Sequence, residues 1–282
     1  MPILKRAAIL LVGFAAALRA GPAPIRVVSQ TVGTDELLLA VAAPGQVAAL
    51  SHLARDPEFS AVAEEAKAYP QLQLNGDAES VIKFGPALVL CADYSRPELV
   101  AQLRRAGVQV MIFDHYSTIE DAYANLRMLA RSLGTGGRAE SVVADCRARV
   151  LALKKRLEGV TPVGVIAPST YSLLPGAGTT FQDLCDHSGA ENLAATLGHL
   201  VGNAPQPSEQ MLVWPVDFVV VAGTTPAKGL APYLDTPPYE YMAAVRDRHV
   251  VLVPAWVLGC VSHRRVLGYE ILARTLHPEA FR

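Results

Sequence analysis

Glu79-Ser80-Val81-Ile82-Lys83 is followed by Pro86 and then by Ala87-Leu88-Val89-Leu90-Cys91: an acidic residue opens a short helical stretch, a proline stops it, and an unbroken apolar run follows. The same order returns at Glu209-Gln210-Met211-Leu212, Pro215 and Phe218-Val219-Val220-Val221-Ala222. A short apolar run bounded by breakers reads as a strand buried on both faces, which is the habit of parallel sheets covered by helices. One copy in each half of the chain predicts two similar α/β lobes. Two lobes imply a cleft between them.

Working outward, the first half offers strands at 26–29, 46–50, 87–91 and 109–113, with helical patterns at 35–41, 79–84 and 97–106. The second half offers strands at 163–167, 218–222 and 250–253, and helices at 181–188, 208–213, 239–244 and 264–276. Strands separated by helices of this length predict right-handed βαβ units on parallel sheets. Gly33-Thr34-Asp35-Glu36-Leu37-Leu38 is echoed by Gly178-Thr179-Thr180-Phe181-Gln182-Asp183-Leu184. Between the halves, Val142, Val143, Cys146, Val150, Leu153 and Leu157 fall at helical spacing, with glycines at 134, 136 and 137 before them and Gly159 and Pro162 after. A helix over 138–158 is about 30 Å long at 1.5 Å per residue, which makes it a rigid strut. The expected fold is therefore α/β, with two Rossmann-like lobes on central parallel sheets joined by a long interdomain helix. The expected domains are an N-terminal lobe over 21–136, the helix over 137–159 and a C-terminal lobe over 160–282.

Composition narrows the function. Of 282 residues, 51% are hydrophobic and 18% charged, too apolar for a disordered chain. Lys+Arg is 25 against Asp+Glu 26, so no basic excess exists to neutralise phosphates and nucleic acid is not an expected partner. Lys5 and Arg6 precede an apolar run from Ala7 to Leu18 and the small residues Ala20, Gly21 and Ala23, the pattern of a secretory signal over 1–20. Its removal takes the formal charge from -1 to -4. The run is too short to span a bilayer, and no cysteine lies beside it to carry a lipid anchor. The expected product is soluble and periplasmic. Cys91, Cys146, Cys185 and Cys260 are widely spaced with no CxxC pair, which favours isolated buried thiols over disulfides.

The chain lacks GxSxG, GxxxxGK[ST], HExxH and GxGxxG. No local spacing supports a metal site; His52, Asp114 and His115 would have to converge across loops to make one. In open parallel sheets ligands sit beyond the carboxyl ends of the strands. The loops there carry Tyr94, His115, Tyr116, Tyr171, Trp256, His263, Arg264 and Arg265, the candidate ligand-binding residues. Aromatic faces with a few cations suit a flat or bulky ligand bearing some negative charge.

Over residues 25–277 the chain resembles the class III periplasmic substrate-binding proteins of ABC importers for iron-siderophores, haem and cobalamin. Arg26-Val27-Val28-Ser29 with Thr34-Asp35-Glu36-Leu37-Leu38 is similar to that family's opening strand and helix. Glu79 to Leu90 is similar to its E-x-I-L-A-L-x-P-D-L-V segment, with Ala87 in place of the aspartate. Leu103 to Val110 matches the next helix-strand step, and Gly178 to Leu193 resembles its second-lobe G-x-x-N region. The resemblance implies a non-enzymatic, monomeric carrier without intrinsic cofactor, whose partners are a metal chelate and an ABC permease dimer with its cytoplasmic ATPase. It also implies that Glu79 and Glu209, one per lobe, dock on permease arginines. The Arg, Tyr and His supply favours an iron chelate, a ferric siderophore or haem. Trp256 after the last strand favours cobalamin, the alternative within the family. An exported two-lobed enzyme or a ligand sensor is the alternative of another class.

Overall fold

The computed structural model describes residues 24–73 and 76–282; the expected secretory signal lies outside them. Four strands, β1 (Val27–Ser29), β2 (Val47–Ala49), β3 (Leu88–Ala92) and β4 (Gln109–Phe113), form a parallel sheet in the order β2-β1-β3-β4. In register, Val27, Val28 and Ser29 lie opposite Leu88, Val89 and Leu90. The helices of this lobe are α1 (Val32–Val41), α2 (Ala63–Ala66), α3 (Ala78–Ile82), α4 (Pro97–Arg105) and α5 (Ile119–Leu133).

The second lobe carries β5 (Val163–Ile166), β7 (Ala190–Asn192), β9 (Phe218–Ala222) and β10 (Val250–Val253) in the parallel order β10-β9-β5-β7. Numbered within its own lobe, each sheet runs 2-1-3-4, so the repeat legible around Glu79 and Glu209 is a repeat of topology. A two-stranded antiparallel ribbon, β6 (Leu173–Pro175) with β8 (Asn203–Pro205), stands beside it. Helices α7 (Thr180–Asp186), α8 (Leu193–Thr196), α9 (Pro226–Leu230), α10 (Ala243–Arg246), α11 (Ala255–Gly259) and α12 (Arg265–Leu276) complete the lobe.

Helix boundaries follow local chemistry. Thr31 caps α1 by accepting the Thr34 N–H at 3.3 Å, and Thr118 caps α5 in a reciprocal box with Asp121. Gly134 ends α5 at φ 70°, a left-handed conformation that glycine adopts without a Cβ penalty. Between the lobes runs α6 (Gly136–Arg156), 21 residues, close to the expected strut. It does not stand free. Ala139, Val143, Cys146 and Leu153 are buried, and the helix packs on α1 and α5 of one lobe and α12 of the other. One hydrophobic core consequently runs through both lobes, from Leu37, Leu126 and Leu129 past Leu153 to Val165, Val251 and Leu272.

Several elements differ from the sequence reading. Helix α5 falls where no element was assigned. Residues 210–213 form a 3-10 turn, and the stretch 239–244 splits because Met242 is extended, leaving a 3-10 turn at 239–241 and α10 after it. The stretch 255–265, read as one loop, contains α11 and reaches the start of α12. All four cysteines are buried and unbridged. Among the described residues no helix is long and apolar enough to cross a membrane.

Candidate functional site: an interlobe cleft floored by helix α11

Three cavities open around α11. The first, about 340 Å³, is lined from the N-terminal lobe by Gln30, Thr31, Gly33, Glu36, His52, Phe59 and Tyr94, and from the C-terminal lobe by Trp256, Cys260 and Val261. The second, about 420 Å³, lies beyond β5 and is lined by Pro168, Ser169, Tyr171, Thr180, Phe181 and Leu258. The third, about 650 Å³, sits between Pro57 and Glu58 of one lobe and Gly223, Thr224, Lys228 and Pro254 of the other. Successive residues of α11 are shared out: Ala255 touches the first and third, Trp256 the first, Leu258 the second. These cavities lie at the carboxyl ends of the strands, where the strand order of each sheet reverses, as expected of an open parallel sheet.

The floor is a tight seam between lobes. A Cβ on Gly33 would overlap Val261 Cγ2, so only glycine lets α1 approach the segment after α11 this closely. Three residues on, Glu36 accepts a hydrogen bond from the Ser262 hydroxyl across the seam, and its other oxygen accepts the Ala61 N–H at 3.0 Å. Burial pushes the Glu36 carboxyl above its ordinary range, against the opposing pull of these hydrogen bonds and of Arg264. Its neighbour Asp35, also buried, is pushed up to about 7 by the same desolvation, while accepting the Ser51 N–H at 3.0 Å and the Ser51 hydroxyl at 2.5 Å. In the second cavity, the Tyr239 hydroxyl accepts the Ser169 N–H at 3.0 Å and the Tyr233 hydroxyl donates to the Pro168 carbonyl at 3.1 Å, fixing the loop after β5.

The residues expected to bind ligand separate into two groups. Tyr94 (65% exposed) and Trp256 share the first cavity, and Tyr171 (84% exposed) lines the second. Tyr116 lines none of the three; its ring stands edge-on to Tyr94 at 6.4 Å between centroids. Its hydroxyl donates to Asp93 at 3.0 Å, and partial burial with that carboxylate pushes the phenol up to about 12. His115 is exposed beside Asp114 and lines none of them.

His263, Arg264 and Arg265 lie away from the cleft. His263 is buried in a separate cavity against α1 and α6, where desolvation and the flanking Arg264 and Arg149 push its pKa down to about 3. Arg264 lies there too, with Nη2 3.5 Å from Glu65. Arg265 is 3% exposed and spends its guanidinium on Asp183 and on the carbonyls of Tyr116, Ser117 and Cys260. The physical reason is α11: five helical residues and a turn carry 263–265 off the cleft and into the start of α12.

Glu79 is exposed as the second residue of α3, and Glu209 is exposed just before the 3-10 turn. Neither caps its helix: Asp77 does so for α3, accepting the Ser80 N–H at 2.7 Å, and Glu209 makes no capping hydrogen bond. Of the other lining residues, Gln30, His52 and Lys228 fall in loops that the strand-end rule assigns to the cleft without being singled out there, whereas Glu36, Glu58 and Phe59 were missed. Gln30 and His52 follow β1 and β2 almost directly, so the strand-end rule contained the signal for them. Glu36 carried none, because it sits inside a helix and its hydrogen-bond partner across the seam is 226 residues away. Among the described residues no three His, Cys, Asp or Glu side chains converge to hold a metal ion.

Comparison with known proteins places the family model described as "Periplasmic binding protein" on residues 27–256. A cobalamin-binding protein of Halobacterium salinarum is 27% identical over 154 residues, which is 53% of this chain but only 41% of that relative's length. Among solved structures, the periplasmic heme-binding protein RhuT from Roseiflexus sp. RS-1 in apo form matches with TM-score 0.75 at 23% identity, covering 91% of this chain and 99% of that one. A periplasmic heme-binding protein from Pseudomonas aeruginosa matches with TM-score 0.74 at 22% identity, covering 90% and 93%. At such identities the likeness is one of fold.

Proposed function

Because this chain belongs to the periplasmic binding protein family, we propose that it is the substrate-binding component of an ABC importer and that its cargo is a corrinoid of the cobalamin class. One observation carries the choice of cargo: the cleft is aromatic and nearly without cations. Trp256, Tyr94, Phe59 and Tyr171 supply flat apolar faces, while Lys228 is the sole Lys or Arg among the described residues lining the three cavities. The preference for an iron chelate drawn from the sequence rested partly on Arg264 and Arg265, which are occupied elsewhere. A polyanionic ferric catecholate, or haem with two propionates, would leave negative charge facing a cleft that has one lysine to meet it. A corrinoid presents a broad face and a periphery of neutral amides, which such walls accept by burial and stacking. The cobalamin-binding relative supports the same reading.

Glu79 and Glu209 fit delivery. The Arg96 guanidinium donates to the Gly76 carbonyl at 2.9 Å, which sets the approach to Glu79 beside the loop after β3. The Gln206 N–H donates to the Ser172 carbonyl at 3.1 Å, which sets the approach to Glu209 near the loop after β5. One exposed carboxylate per lobe on the side of the cleft mouth is a two-point electrostatic register for a permease dimer.

The test is a fluorescence titration of the protein from Gly21 onward, read from its two tryptophans. Cyanocobalamin, haemin, a ferric hydroxamate and a ferric catecholate are the ligands, with inner-filter controls. Saturable quenching by cyanocobalamin is expected. Saturation by haemin or a ferric chelate alone would overturn the corrinoid reading.

A further inference from the structure

We propose that Lys228 is the residue that selects the cargo by its one anionic group, the phosphodiester of a corrinoid's nucleotide loop, at the cavity between Glu58 and Thr224. The assignment rests on the corrinoid reading and adds to it where on the protein the charged part of the cargo lies.

The placement is built by the fold. Helix α9 is seated directly on the sheet: a Cβ on Gly229 would come 2.7 Å from Val221 Cγ2 and 3.0 Å from Leu252 Cδ2, and one on Gly223 would come 3.1 Å from the Gly229 Cα. Two glycines thus let the first turn of α9 lie against the carboxyl ends of β9 and β10. Thr225 closes that turn, its hydroxyl accepting the Lys228 N–H at 3.3 Å. The backbone of Lys228 is held, while its ammonium makes no ion pair with any described carboxylate and lines the 650 Å³ cavity. Thr224 adds a hydroxyl to the same wall, and Glu58 stands on the wall of the other lobe.

This cavity adjoins the aromatic one, since Glu58 and Ala255 line both. A macrocycle against Trp256 and Tyr94 would therefore extend its appendage toward Lys228. The charges match in number and kind. One ammonium meets one phosphodiester, and one carboxylate on the facing wall accepts from amide N–H donors, which a corrinoid has in plenty. An exposed lysine facing a carboxylate across a cavity adds little to stability, since even exposed ion pairs are worth little. It is a good device for orienting a ligand that carries one negative charge at one end.

Dicyanocobinamide lacks the nucleotide loop and its phosphate, so it removes the group without touching the protein. The experiment measures cyanocobalamin and dicyanocobinamide affinity for wild type, Lys228→Gln and Lys228→Arg at low and at physiological salt. Lys228→Gln is expected to weaken cyanocobalamin about 3- to 10-fold at low salt, less at higher salt, and to leave dicyanocobinamide within about 2-fold, with Lys228→Arg restoring most of the loss. Equal effects on both ligands, or none on either, overturn the assignment while the cargo reading stands. If wild type binds neither corrinoid, the cargo reading fails and the assignment falls with it.

Discussion

Arg265 donates from Nη1 to Asp183 Oδ2 at 2.8 Å, while Asp183 Oδ1 accepts the Ile119 N–H from the other lobe at 3.2 Å. The side chains are 4% and 6% exposed, and the Tyr269 hydroxyl also donates to Asp183. A pair that the sequence offered partly as ligand chemistry is thus a bolt between lobes, fixing the β4–α5 loop to α7 and α12.

Removing one partner leaves the other charge buried and unpaired. Asp183→Ala and Arg265→Ala are each expected to cost about 3–5 kcal/mol of stability. Urea unfolding of the two variants checks this, and a loss below about 1 kcal/mol would show that water reaches the site.

Trp256 forms the C-terminal wall of the first cavity and only partly joins the core. Trp256→Ala should weaken corrinoid binding about 10- to 100-fold, the cost of a central aromatic anchor. The far-UV circular dichroism should be retained. Unchanged affinity in a folded variant would remove the aromatic wall from the binding account.

The seam at Gly33 makes a paired prediction. Gly33→Ala drives a methyl into Val261 and should destabilise by about 1–3 kcal/mol through overpacking. Val261→Ala in the same chain should recover much of that loss, because the two sites share one contact. A double-mutant cycle by thermal melting reads the coupling; strict additivity would mean that the lobes separate to accommodate the methyl.

Asp35 sets a pH dependence. Its folded-state pKa of about 7 lies above the ordinary 3.8, so between those values the folded protein binds more protons than the unfolded chain. The contribution of Asp35 to stability is therefore lost as pH rises from about 4 to about 7. Asp35→Asn keeps an acceptor for the Ser51 N–H and removes the titration. The melting temperature of the variant relative to wild type should therefore rise from pH 5 to pH 8, while Glu36, raised in the same direction, and His263, pushed down to about 3 and of opposite slope, act alike in both proteins. An equal pH response in both proteins would place the charge elsewhere.

The proposed docking on a permease is separable from ligand capture. Glu79→Ala with Glu209→Ala should leave corrinoid affinity within about 2-fold while uptake into cells falls sharply, since both carboxylates are exposed and neither lines the three cavities. A large loss of affinity would refute a docking role.

The sequence was most legible where structure is local. The strands at 109–113, 218–222 and 250–253 end where the apolar runs end, and α6 matches the helical spacing bounded by Gly134 and Gly159. Helix α5 was missed although Thr118 and Asp121 spell a capping box, because its buried face includes Asn125 as well as Ala122, Tyr123 and Leu126. The site was legible only in part. The strand-end rule found the loops bearing Tyr94, Tyr171 and Trp256, and in one of those same loops it misplaced His263, Arg264 and Arg265.

Sequence alone determined the two parallel βα lobes, the strut between them and the family, because apolar runs, helical periodicity and breakers act over a few residues and are written where they act. Tertiary structure decided which side chains face the cleft. Ser262 meets Glu36 across 226 residues and Arg265 meets Asp183 across 82, and no local pattern encodes either meeting. The five residues of α11 decide it: successive helical positions point about 100° apart, so one short helix hands Trp256 to the first cavity and sends the basic residues after it into the seam that holds the lobes together.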